Sequence, residues 1–271
     1  MMGATKDRGF SLSLFSTSQP LIEDCARAGL DEVIVDWEQQ GKDRRQAGAD
    51  TDISHDTEED LLHVRGWTSR PVICRINQWA HRGATELSRA IELGADEVLL
   101  PMVRGLAEVE AALNVAGGRC GIGILVETEA AVHAASDLAS LDLCRVYVGL
   151  NDLAIERRSP TIFQAVVDGT VERLRDTFRV RFGFGGLTLP DRGSPIPSRL
   201  LMCEMERIGA DFSFLRRSFK RDAQETDPQE AIHRIRRGLA EARGRSQAQR
   251  ETDSRELVAT VNECVPKRPA C

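Results

Sequence analysis

The sequence predicts a (β/α)8 barrel, and three observations carry that prediction. Eight short apolar runs recur along the chain, longer amphipathic stretches separate them, and the whole series fits between Phe10 and Arg243, close to the roughly 250 residues such a barrel uses. The runs are FSLSLFS from Phe10, EVIVDWE from Glu32, PVICRIN from Pro71, EVLLPMV from Glu97, GIGILVET from Gly121, RVYVGL from Arg145, RFGFGGLT from Arg181 and FSFLRRSF from Phe212. Several are near-continuous Val, Ile and Leu without strict alternation, the pattern of strands covered on both faces.

The intervening stretches read as helices. PLIEDCARAGLD follows the first run, and DTEEDLLHVRGW the second, with Asp56 or Thr57 placed to cap it. GATELSRAIELGAD sets Leu87, Ala90, Ile91 and Gly94 at helical spacing, and GLAEVEAALNVAGG stops at Gly117-Gly118. PTIFQAVVDGTVERLRDTF reads as the longest helix, and PSRLLMCEMERIGAD and DPQEAIHRIRRGLAEAR complete the set. The widest gap follows the second run, where QQGKDRRQAGADTDIS forms a polar connection of a length that is often functional. Residues 1–243 therefore form the barrel domain. Residues 244–271 read as a polar linker, one short amphipathic helix within ELVATVNECV and a frayed end, with plain disorder as the alternative.

Composition narrows the function. With 36 basic and 42 acidic side chains the formal charge is −6, which argues against a protein that binds nucleic acid or anionic membrane. Apolar residues at 41% suffice for a full core, and no apolar run approaches the roughly 20 residues a membrane span needs. The opening MMGATKDRGFSLSLFS is too short in apolar residues for a secretory signal. Seven scattered cysteines without a C-x-x-C pair suggest reduced thiols and a cytoplasmic protein.

Chemistry in such a barrel sits where strands end. The second strand ends Asp36-Trp37-Glu38, the third Arg75-Ile76-Asn77 and the fifth Glu127-Thr128, while Asn151-Asp152 follows the sixth and Gly185-Gly186 lies at the end of the seventh. Glu127 and Asp152, one βα unit apart, offer hard oxygen ligands for a divalent cation; the competing reading is two carboxylates favoured by helix N-termini. Arg75 needs an anionic partner, either a substrate carboxylate or a structural pairing with Asp36 or Glu38. Gly185 and Gly186 would bring backbone N–H groups close to an anionic substrate. Lys42, Arg44 and Arg45 form one basic cluster and Arg216, Arg217, Lys220 and Arg221 another, the latter suited to a dianionic or phosphorylated substrate if some point inward. Trp37 and Trp79 near the rim are expected in the core.

The segments VDWE, CRIN, GADEVLLPMV, GILVETEAAV and VGLNDLAIE resemble the HpcH/HpaI aldolase and citrate lyase beta-subunit family, over about Phe10 to Asp222. The resemblance implies a metal-dependent carbon-carbon lyase or aldolase acting on a small 2-oxo acid through a metal-stabilised, pyruvate-type enolate. It implies Mg2+ or Mn2+ on Glu127 and Asp152, Arg75 on the substrate carboxylate or enolate oxygen, and Asp36 and Glu38 as the acidic pair beside it. It also implies a homo-oligomer, trimer or hexamer. The chain departs from the family in one place: aldolases of this kind carry a histidine directly after the D-x-E, where Gln39 stands here. Gln39 can contact substrate, but an amide cannot act as the base near neutral pH. That role falls to Glu38, Asp36 or a metal-held water, with His55 and His81 as weaker candidates. Two other readings follow: a citrate-lyase-like enzyme acting on CoA thioesters, or a non-catalytic barrel kept as a binding or regulatory subunit.

Overall fold

Each apolar run becomes a parallel strand, and the strands close into a barrel in sequence order. The computed structural model describes residues 9–40 and 55–265. The strands are β1 (Ser11–Phe15), β2 (Glu32–Asp36), β3 (Val72–Arg75), β4 (Glu97–Leu100), β5 (Gly121–Val126), β6 (Arg145–Val148), β7 (Arg181–Leu187) and β8 (Phe212–Leu215). Each pairs with the next, and β8 closes on β1. The second run's long polar connection, with Lys42, Arg44 and Arg45, lies mostly outside the described residues.

Around the barrel run α1 (Gln19–Arg27), α2 (Glu58–Trp67), α3 (Trp79–Glu92) and α4 (Leu106–Ala116). After β5 come two short helices that the sequence did not announce, α5 (Glu129–His133) and α6 (Ala135–Leu138), and α7 (Leu150–Arg157) follows β6 at once. The next helices are α8 (Gln164–Val167), α9 (Thr170–Thr177), α10 (Ser198–Ile208), α11 (Arg217–Thr226), α12 (Pro228–Arg243) and α13 (Gln247–Glu263). Thr57 caps α2 through a reciprocal pair with Asp60. The stretch expected as the longest helix is instead divided into α8 and α9. Gly169 at φ +78° breaks it, and the Asp168 carboxylate accepts the Thr170 N–H at 2.9 Å to start the second piece.

Residues expected as a polar linker also differ, because Gln247 to Glu256 form the first half of α13. Ser246 and Gln249 close a capping box at its start. Only a narrow stripe of the helix is buried, Asp253, Leu257 and Val261, packed on α10, with Arg245 donating to Asp253 at 2.7 Å. Leu257→Ala should therefore cost roughly 2–4 kcal/mol, read as a lowered urea midpoint; an unchanged midpoint would mean that the helix adds nothing to the fold.

Inside the barrel the residues are layered. Ile34, Ile73, Leu99, Leu125, Tyr147, Phe212 and Phe214 form one closed cluster, distinct from the apolar shell between strands and helices. Below it, where strands begin, lies a charged layer. Glu32 accepts from Arg145 at 2.8 and 3.0 Å, from Arg181 at 2.7 Å and from the Ser13 hydroxyl at 2.6 Å. Arg145 also meets Glu97 at 2.5 Å in an ion pair, with its guanidinium 4.8 Å from the Phe212 ring centroid. Gly123 leaves room for this layer, since a Cβ there would lie 2.6 Å from Glu97 and 2.7 Å from Arg145.

Burial alone would raise the Glu32 carboxyl, but the Arg145 hydrogen bonds and the Arg145 and Arg181 charges hold it down at about 2. The unfolded chain therefore takes up this proton first. Glu32 contributes stability that is complete above its ordinary range near pH 4.5 and is lost as pH falls toward 2. Glu97 has the opposite sign, its proton held more tightly by burial, so the fold loses some stability as pH rises above the ordinary carboxylate range. Denaturant midpoints of Glu32→Gln should accordingly depend less on pH between about 2 and 4.5 than those of the wild type; parallel profiles would contradict this.

Candidate active site

The C-terminal ends of the strands carry a second charged layer. Asp36 and Arg75 are register partners at the ends of β2 and β3. Arg75 grips Asp36 with two bonds, Nε to Oδ1 at 2.8 Å and Nη2 to Oδ2 at 2.6 Å, and its Nη1 lies 3.3 Å from Glu38 Oε2. The guanidinium sits 4.9 Å from the Phe15 ring centroid. Asp36 and Glu38 are 5% and 2% exposed, so the pairing the sequence left open as a structural alternative is present. Burial alone would weaken the hold of Arg75 on its proton; the charges of Asp36 and Glu38 more than reverse that.

Backbone contacts fix the loop after β2. The Asp36 N–H donates to Asp56 at 2.9 Å and the Glu38 N–H to Asp36 at 3.1 Å. The Asn77 side-chain oxygen accepts the N–H groups of Gln39 and Gln40 at 3.0 and 2.9 Å, and Glu86 holds Asn77 in turn. Gln39 itself is exposed, and its amide donates to the Asp56 carbonyl at 3.3 Å. His55 and His81 are exposed as well. Trp37 is buried, with its indole N–H on the Thr57 carbonyl, and Trp79 packs against the core.

Glu127 follows β5 directly and is 4% exposed. Its Oε1 accepts the Met102 N–H at 2.8 Å, and Met102 takes φ +54°, an uncommon angle for a side-chain-bearing residue. Gly149 lies close against the carboxylate, where a Cβ would stand 2.3 Å from Oε2. Asp152, which follows β6 as expected, lies in the first turn of α7, the helix N-terminal position the sequence offered as the competing reading, because the chain turns helical immediately after β6. Burial first, then the charges of Asp152 and Glu38, push the Glu127 carboxyl up to about 8, against the opposing pull of Arg75 and the Met102 N–H. Asp152, Glu38 and Arg75 thus all lie within electrostatic reach of Glu127.

Gly185 and Gly186 present carbonyls to the barrel. The Gly185 carbonyl, at a residue with φ +59°, accepts from the Tyr147 hydroxyl and from Ser213 at 3.1 Å. The Gly186 carbonyl accepts from Arg216 Nε and Nη2 at 3.1 and 3.0 Å. Of the second basic cluster, Arg216 is the partly buried member, whereas Arg217, Lys220 and Arg221 are exposed. Met102, Gly149 and Tyr147 escaped the sequence reading. The positive φ of Met102 and the tertiary approach of Gly149 leave no local pattern to find.

Among the described residues, no group of three or more His, Cys, Asp or Glu side chains could hold a metal ion by itself. Glu127 and Asp152 are a pair. The fit to a divalent cation rests on burial and charge: a carboxyl whose proton is held first by burial and then by two neighbouring carboxylates is a place where a cation can replace that proton. Two oxygen donors leave the remaining positions of a hard cation to water and substrate, as Mg2+ tolerates.

Known proteins share this architecture. Similar solved structures include an HpcH/HpaI aldolase/citrate lyase family protein from Burkholderia cenocepacia J2315, at 14% identity and TM-score 0.59, covering 84% of this chain and 95% of that one. RipC from Yersinia pestis has 14% identity and TM-score 0.59, covering 90% and 99% of the two chains. The 3-hexulose-6-phosphate synthase from Salmonella typhimurium has 13% identity and TM-score 0.60, covering 86% and 100%. At such identities the likeness establishes the barrel fold alone. None of the curated proteins matches the chain in sequence. The sequence pattern of one family does match, over residues 10–161, from β1 to beyond α7 and across more than half of the chain. On that ground the protein belongs to the HpcH/HpaI aldolase/citrate lyase family, and its barrel is of lyase or aldolase type.

Proposed function

We propose that this protein is a divalent-metal-dependent carbon-carbon lyase that cleaves a small hydroxy-oxo acid to pyruvate and an aldehyde. The observation that carries this reading is the conjunction, at one mouth of the barrel, of a carboxylate-anchored arginine, Arg75, with the buried carboxyl of Glu127 and the nearby Asp152. Glu127 and Asp152 would hold Mg2+ or Mn2+. When bound, such an ion supplies positive charge where negative charge gathers on the substrate oxygens.

The remaining work belongs to the chain's own groups. Asp36 and Glu38 hold the guanidinium of Arg75 in one orientation, and each terminal nitrogen keeps a second N–H for a substrate carboxylate. Cleavage breaks the bond between the carbon beside the keto group and the carbinol carbon. The hydroxyl proton leaves, the carbinol becomes the aldehyde, and the electron pair of the broken bond moves onto the keto oxygen. A proton returned to carbon then gives pyruvate. Asp36 and Glu38 both lie against Arg75 at the end of β2, and one of these two acids takes the hydroxyl proton in place of the family's histidine.

The test is exchange of the pyruvate methyl protons in deuterated water, after chelator treatment and with Mg2+ or Mn2+ restored. Exchange that depends on the added ion supports the reading. Absence of exchange with every divalent ion would leave the barrel as a binding subunit.

A further inference from the structure

The two carboxylates assigned to the cation stand on different elements, Glu127 directly after β5 and Asp152 in the first turn of α7. Their mutual position therefore depends on where α7, a helix of eight residues, is set against the end of β5. The start of this helix is pressed onto the first carboxylate, since a Cβ on Gly149 would stand 2.3 Å from Glu127 Oε2. Its last turn is tied down by two adjacent residues. Arg157 donates through Nε to the carboxylate of Glu129, two residues after Glu127, and its Nη1 reaches the Thr170 hydroxyl at 3.1 Å and Asp168 at 3.6 Å. Glu156 meets Arg104 at 3.5 Å, and Arg104 lies two residues after Met102, whose N–H donates to Glu127.

The segment that Arg157 grips is itself fixed. The Thr128 hydroxyl, buried between Glu127 and Glu129, donates to the Val103 carbonyl at 2.6 Å and accepts the Ala131 N–H at 3.0 Å. Glu129 is the first residue of α5, the helix which that hydroxyl caps. Arg157 is partly buried whereas Arg104 is exposed, so the Arg157 contact is the stronger of the two ties. Such a tie matters more to a cation than to the fold. One ion pair within reach of water adds little stability. Ligand oxygens of a divalent ion must stand within about 0.2 Å of their proper distance, and residues that orient them from behind change metal affinity roughly 10–100-fold.

We infer that Arg157, with Glu129, is a positioning residue of the cation site: by joining the last turn of α7 to the segment after β5, it sets the Asp152 carboxylate against that of Glu127. The inference rests on the reading of Glu127 and Asp152 as the metal ligands, and adds two residues that act through them.

Arg157→Gln is the decisive substitution, because charge and positioning predict opposite signs for it. Loss of a nearby cation leaves the site more negative and by itself tightens binding of a divalent ion; release of α7 weakens it. Titration of the chelator-treated full chain with Mn2+, followed by electron paramagnetic resonance, is expected to show binding at least roughly fivefold weaker in Arg157→Gln, with a melting temperature within a few degrees of the wild type. Glu129→Gln should also weaken binding, and the double variant should bind no more weakly than Glu129→Gln alone, because the two substitutions remove one contact. Binding by Arg157→Gln at or above wild-type strength overturns the positioning role, and if Glu127→Gln weakens binding in the same series the metal reading stands without it. Absence of Mn2+ binding by the wild type overturns the metal reading and the positioning role together. If Arg157→Gln does not fold, Arg157→Lys, which keeps the charge but not the three-way grip, carries the same comparison, with severalfold weaker binding expected and wild-type binding overturning the role.

Discussion

Arg75→Ala should lower pyruvate exchange at least ~100-fold, about 2.7 kcal/mol of barrier, and should destabilise the fold at the same time. The second effect follows from the pairing at the end of β2. Asp36 and Glu38 are nearly inaccessible to water, and the guanidinium is the cation set between them. Removing it takes a cation from between two buried carboxylates, a loss on the order of 3–5 kcal/mol. Arg75→Lys separates the two effects. An ammonium retains the charge and much of the stability but cannot reproduce the two-bond grip on Asp36, so exchange should fall while the melting temperature stays nearer the wild type. Exchange at wild-type rate in Arg75→Lys would mean that only the charge of this residue matters.

Arg145→Met should destabilise the protein by about 3–5 kcal/mol, a fall in Tm of roughly 10 °C, with little effect on exchange measured where the variant is folded. Arg145 lies at the opposite end of the barrel, where it answers Glu32 and Glu97 in the charged floor beneath Phe212. Its loss leaves Glu97 without its cation and Glu32 with Arg181 alone. Replacing Glu32 by Met together with Arg145 should recover part of the loss, since removing both members of a buried pair is far less costly than removing one. A variant as stable as the wild type would show that this floor is not structural. One that is stable but inactive would place part of the chemistry at the wrong end.

The two charged layers differ in how plainly the sequence shows them. The strands are legible because they are covered on both faces, so runs such as EVIVD and EVLL need no alternation to be seen. Strand ends are legible for the same reason: Asp36, Arg75 and Glu127 interrupt apolar runs that the barrel would otherwise continue. Asp152 is legible as a residue following β6, but its place in the first turn of a helix stays open, because nothing in GLNDL shows that the helix starts at Leu150. The break at Gly169 is hidden by an apolar period that runs on across it. The first half of α13 is hidden for the opposite reason, since the buried stripe is too narrow to stand out there from a polar composition, whereas the half within ELVATVNECV was expected. The support of Glu127 by Met102 and Gly149 depends on a backbone angle and a tertiary approach, which one-dimensional patterns do not carry.

Binding of Mn2+ to the chelator-treated protein, followed by the loss of the free-ion signal in electron paramagnetic resonance, tests the central claim without reference to turnover. One Mn2+ should bind per chain, and Glu127→Gln and Asp152→Asn should each weaken it at least roughly tenfold, about 1.4 kcal/mol. Undiminished binding in both variants would contradict the account, as would no binding in the wild type.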